Sequence, residues 1–151
     1  ENGYRSGTEN IVGIAGFGAA ADEAKRNIAA SVSKTASLRD ACERAIIEAG
    51  AEPNLPEGAR ASHVLSIRLP DIKSETMLHY LSSEGIFVSS GSACSSNSQH
   101  LSSALIAYGR SEAEADSSIR ISLSPRNTKE ELDAFCAALA AGLSRLSRIR
   151  R

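Results

Sequence analysis

"SIRISL", residues 118–123, alternates Ile119, Ile121 and Leu123 with Arg120 and Ser122. A two-residue period is that of a strand with one face against a core. The apolar set therefore points inward and Arg120 stands on the opposite side. Downstream, "TKEELDAFCAALAAGLSRLSRI" opens with a capping box, Thr128 to Glu131, and gathers Leu132, Phe135, Leu139, Leu143 and Leu146 on one helical face. Upstream, "SEAEAD" is a short helix capped by Ser111, and "LSSALIAYG" another stopped by Gly109. "IFVSS" (86–90) and "HVLSIRL" (63–69) read as strands, and "AEPNLPEGAR" (51–60) as a loop. "KSETMLHYLSSEG" fits a helix with Ser74 as N-cap and Gly85 just past its end. From about Ala20 to Ala49 the apolar residues recur at steps of three and four, including Ala24, Ile28, Val32, Leu38, Cys42 and Ile46. That is a long amphipathic helix closed by Gly50, roughly 45 Å in length. The expected fold is a small α+β domain: a long N-terminal helix, a mostly antiparallel sheet of about three strands covered by helices on one face, and a long C-terminal helix.

The bulk numbers set limits on function. The chain has 151 residues, 42% hydrophobic and 23% charged, which suits one globular domain. A net charge of −1 supplies no field for nucleic acid or an anionic membrane, and 4% aromatic content disfavours base stacking. Neither partner is expected. No apolar run approaches the ~20 residues of a membrane helix, and no signal pattern is present, so a cytoplasmic location is expected. Three cysteines, widely spaced and without a C-x-x-C, argue against a disulfide framework or a zinc site. The opening "ENGYRSGTEN" reads as the middle of a longer protein.

Three places could carry chemistry. Cys94 ends the run "SSGSAC" (89–94), where Gly91 and small serines restrict neither backbone nor approach, as a presented nucleophile needs. An unperturbed thiol is only a few per cent ionised at neutral pH, so a neighbour or the substrate has to assist it. Cys42 and Cys136 fall instead on apolar helical stripes and are expected in the core. Arg120, on a rigid strand, is suited to a bidentate grip on a carboxylate, with a solvated surface arginine as the plain alternative. "RSGT" (5–8) combines a glycine turn, a cation and the Thr8 hydroxyl at a helix start, a possible phosphate contact. His100 follows the cysteine segment, but neither it nor His63 or His79 has a Ser or Asp partner at a telling spacing.

The order "RSGTEN", "SSGSACSS", "SSIRISL", with Gly109 before the last, resembles the C-terminal part of a cysteine desulfurase. More narrowly, it is similar to the NifS/IscS-like group of class V aminotransferase-fold enzymes, which have fold type I and use pyridoxal 5'-phosphate. The resemblance implies that Cys94 takes sulfur from L-cysteine as a persulfide and that Arg120 holds the substrate carboxylate. It implies that Thr8 hydrogen-bonds the cofactor phosphate, reaching across a homodimer, and that the sulfur passes to an acceptor protein such as an iron–sulfur scaffold. It divides the chain into residues 1–20, left from the large cofactor domain, a linking helix at 21–50, and a small C-terminal domain at 51–151. The family's Schiff-base lysine and its neighbours would precede "RSGT", so this chain alone would be inactive. "NSQHLSSAL" lacks the acidic-proline pair of many relatives. A selenocysteine lyase, another class V relative, and a non-enzymatic persulfide carrier are the alternatives.

Overall fold

The computed structural model describes residues 6–55, 60–90 and 102–148. The long helix α1 spans Ile11–Glu48, and the Asn10 side chain caps it by accepting a hydrogen bond from the Gly13 N–H. The helix thus begins about nine residues before the expected Ala20 and rises roughly 57 Å. Residues 11–30 are exposed throughout, so no buried stripe marks them, and Gly13, Gly16 and Gly18 mask the helical pattern further. Burial begins at Thr35 and continues at Cys42, Glu43 and Ile46.

Strand β1 is only Glu52–Pro53, followed by β2, Val64–Arg68. Helix α2 covers Ser74–Ser83, and β3 is the pair Ser89–Ser90. Helices α3, Ser103–Ala107, and α4, Glu112–Asp116, lead into β4, Ser118–Ser122, and the chain closes with α5, Lys129–Arg148. The sheet runs β1-β2-β4-β3 with every pairing antiparallel. It has four strands where about three were expected, because Glu52–Pro53, inside the stretch read as a loop, pairs with Arg68 and Ile67. Proline lacks the N–H for a central strand, so this pairing sits at the edge. The strand expected at 86–90 shrinks to its last two residues. Helix α2 starts one residue earlier than read, with Lys73 at the N-cap and Ser74 buried in the first turn.

The inward face of the sheet carries Leu65, Ile67, Ile119 and Ile121 in one core with buried residues of α1, α2 and α5, and α5 packs against both α1 and α2. Leu132, Phe135, Leu139 and Leu143 are buried as their spacing requires. The Thr128–Glu131 capping box is formed: the Glu131 carboxylate accepts from the Thr128 N–H at 3.1 Å, and Thr128 Oγ1 accepts from the Glu131 N–H at 3.3 Å. Cys42 is 2% exposed and Cys136 half-buried, with their sulfurs 3.7 Å apart. The hydrogen bond to Cys136, then burial, push the Cys42 thiol far up, while the same bond draws Cys136 down. Both pack as small apolar side chains, as their positions on the stripes suggested.

Helix α5 packs against α2 at Gly142, where a Cβ would lie 2.8 Å from the Tyr80 ring and 3.0 Å from Met77 Sδ. Alanine there gains helix propensity of about 1 kcal/mol but forces apart a ring and a buried thioether, at a cost of about 1–3 kcal/mol. Gly142→Ala is therefore expected to lower the melting temperature by a few degrees in thermal denaturation. A value at or above the parent's contradicts this packing.

Candidate active site

On the face of the sheet turned away from the core, Arg120 of β4 is the direct cross-strand partner of Ser66 in β2 and of Ser89 in β3. Alternation places the three side chains on one side. Contrary to the expectation of helices on one face only, α3 lies against this second face, anchored by Leu105. Between them is a groove of about 170 Å³ lined by Leu55, Ser66, Ser102, Ala104, Leu105, Tyr108, Ser118, Ile119 and Arg120. That is below the ~300–1,000 Å³ of a complete small-molecule site, so the groove amounts to one wall or subsite. Arg120 is the one charged side chain among the described lining residues, and no described residue hydrogen-bonds or ion-pairs with it. Arg39, Arg68 and Arg110, by contrast, are paired with Asp40, Glu52 and Glu114. A guanidinium with no carboxylate beside it among the described residues of the groove attracts an anion.

The groove floor is fixed by a polar network. Asn54, 2% exposed, donates from Nδ2 to Ser66 Oγ and Ser118 Oγ, each at 3.0 Å. Its backbone N–H donates to the Ser66 carbonyl at 2.9 Å, and its own carbonyl accepts from Arg110 Nε and Nη2 at 3.1 and 2.6 Å. Arg110 also reaches Glu114 Oε1 at 3.3 Å, which ties the network to the capping box of α4. Bonds from the Ser111 backbone and hydroxyl, with Arg110 nearby, hold the half-buried Glu114 carboxyl below its usual range.

Of the three residues singled out from sequence, Arg120 lies in this groove. Cys94, with His100, lies outside the described residues. The described chain stops at Ser90, beside Arg120's partner Ser89, and resumes at Ser102, which lines the groove. Thr8 is exposed, two residues before the Asn10 cap and next to Gly7 at φ +95°. It sits beyond the outer end of α1, which begins roughly 36 Å along the axis from Thr35, and is not brought to the groove. Sequence reading missed Asn54 and Ser66. One looked like a loop polar residue and the other like a strand's outward serine, and only the pairing of distant segments joins them.

The chain belongs to the class V aminotransferase family: the family model described as aminotransferase class-V matches residues 1–135. Within that family its similarity is to cysteine desulfurases. It is 37% identical over 142 residues to the cysteine desulfurase IscS of Clostridium botulinum, covering 88% of this chain and 34% of that protein. It is 35% identical over 147 residues to a cysteine desulfurase of Rhodobacter capsulatus, covering 97% and 38%. A solved NifS-like protein superposes with a TM-score of 0.80 at 32% identity, over 94% of this chain and 36% of its own. The chain thus spans a little over a third of the length of these curated relatives. The small α+β fold expected from sequence is the one found. No helix among the described residues is long and apolar enough to cross a membrane.

Proposed function

We propose that this chain is the C-terminal part of a cysteine desulfurase, in which Arg120 holds the carboxylate of L-cysteine and Cys94 receives its sulfur. The observation that supports this best is the Arg120 guanidinium, without a partner among the described residues, in a groove next to both ends of the segment that carries Cys94. Cys94 follows Ser90, the last residue of β3, by four positions in the sequence. In the net reaction the carbon–sulfur bond of cysteine breaks and a sulfur–sulfur bond forms on Cys94. Cysteine and thiol become alanine and persulfide, with no atom or electron gained or lost. The persulfide then serves an acceptor protein such as an iron–sulfur scaffold.

The family's pyridoxal 5'-phosphate is not accommodated by this chain alone. Lys34 donates to the Pro125 carbonyl at 2.5 Å, Lys73 pairs with Asp116 at 3.4 Å and Lys129 with Asp133 at 2.5 Å. Neither these nor Lys25 lines the Arg120 groove. The covalent anchor and the electron sink are therefore assigned to a large domain to which residues 1–20 belong. Residues 21–50 link it to the small domain at 51–151. Thr8 is assigned to the cofactor phosphate, its hydroxyl standing before the positive end of α1. Its distance from the buried part of α1 favours a contact in the second site of a homodimer over one at its own Arg120.

The test uses the polypeptide that carries this chain together with the cofactor domain, loaded with pyridoxal phosphate and supplied with L-cysteine and a thiol reductant. Alanine and sulfide are expected in equal amounts. A protein that binds the cofactor but makes no alanine from cysteine overturns the reading.

A further inference from the structure

We propose that the Ser66 hydroxyl, held as a donor by Asn54, is the second group of the carboxylate site at Arg120, and that the site selects small monocarboxylates. The proposal deepens the role given to Arg120 above and rests on it. Ser66 and Arg120 are directly opposite in the β2–β4 register, so their Cβ atoms are about 4.5–5.5 Å apart on one face. A carboxylate bound by the guanidinium is thereby within reach of the hydroxyl.

The direction of the Ser66 hydrogen follows from the network beneath it. A serine hydroxyl has one hydrogen to give and two lone pairs to receive with. The hydrogen of Ser118 goes to the Glu114 carbonyl, 2.6 Å away, in preference to Asn54 Oδ1 at 3.2 Å. Ser118 thus needs a donor from Asn54, which turns the Asn54 NH₂ toward both serines. Its bond to Ser66 Oγ, at 3.0 Å, occupies a lone pair and leaves the hydrogen, which no described acceptor receives. Arg110 and the Ser66 carbonyl fix the Asn54 backbone, and burial with the two serine bonds holds its side chain. The outcome is an aligned neutral donor next to an unpaired cation.

This composition discriminates between substrates. One positive charge and one hydroxyl satisfy one carboxylate. A second carboxylate would meet Leu55, Ala104 and Leu105, with no second cation among the described lining residues. Desolvating an unpaired charge there is unfavourable, so dicarboxylic amino acids are disfavoured relative to small neutral ones.

The experiment is a titration of this ¹⁵N-labelled chain with L-alanine, and separately with L-aspartate, following the Arg120 Nε–H resonance by NMR. In the parent chain the resonance should shift and saturate with alanine, at lower concentration than with aspartate. Ser66→Ala should weaken alanine binding about tenfold, the lower end for a hydrogen bond to a charged group, and should lower the melting temperature by a few degrees, because one Asn54 N–H loses its acceptor. Ser66→Thr, which keeps the hydroxyl, should restore binding. If Arg120 responds equally in the parent and in Ser66→Ala, or if threonine fails to restore binding, the Ser66 role is overturned and that of Arg120 stands. Tighter binding of aspartate overturns the selectivity. No response of Arg120 to either ligand overturns this proposal and the carboxylate role of Arg120 together.

Discussion

Serine in place of Cys94 is expected to end sulfur transfer in the cofactor-loaded protein while leaving cofactor absorbance intact. The two side chains differ by one atom, but that atom is the nucleophile. A thiol reaches its reactive anion near pH 8.5, whereas a serine hydroxyl at neutral pH supplies no comparable anion and forms no stable bond to sulfur. The loss should be at least about a thousandfold, the scale seen when a covalent nucleophile is removed. Mass spectrometry after exposure to cysteine should find one extra sulfur on the peptide containing Cys94 in the parent and none in Cys94→Ser. Cys42 offers no substitute, because it is 2% exposed and its thiol is pushed well above the ordinary range. If Cys94→Ser retains full desulfuration, another residue is the acceptor.

The second large effect is expected at Arg120. A bidentate guanidinium–carboxylate contact is worth about 2–4 kcal/mol when its bonds are charge-assisted, which corresponds to a loss of about 30- to 1,000-fold. Arg120→Ala should place most of that loss in KM for cysteine, because the contact exists before the sulfur moves and persists afterwards. Arg120→Lys should recover only part, since a single ammonium cannot reproduce the planar fork. Folding should be little affected, as the side chain is exposed and no described residue pairs with it. An unchanged KM in Arg120→Ala contradicts the carboxylate assignment.

Legibility in the sequence followed the physics of each element. The last helix announced itself because its stripe from Leu132 to Leu143 is buried along its length and its first turn is closed by Thr128 and Glu131. Strand β4 was equally plain, since alternation survives wherever one face is apolar. The start of α1 was hidden because Gly13, Gly16 and Gly18 interrupt the apolar pattern ahead of Ala20, and because no buried face marks residues 11–30. Strand β1 was hidden because two residues carry no period and Pro53 argues for a loop. The functional residues divide similarly. Arg120 stood out as a charge on an apolar strand. Asn54 and Ser118, 64 positions apart, had nothing local to connect them until the fold set them side by side.

The exposed outer half of α1 makes the helix a lever with its fulcrum near Thr35. Over an arm of roughly 36 Å, a tilt of about 5° at the fulcrum displaces the far end by about 3 Å, a full hydrogen-bond length. The aim of the Thr8 hydroxyl is therefore governed by whatever steadies the beam along Ile11, Val12, Ile14 and Phe17, all at least 60% exposed here. Substitutions on that flank should detune the phosphate contact proposed for Thr8 without touching it.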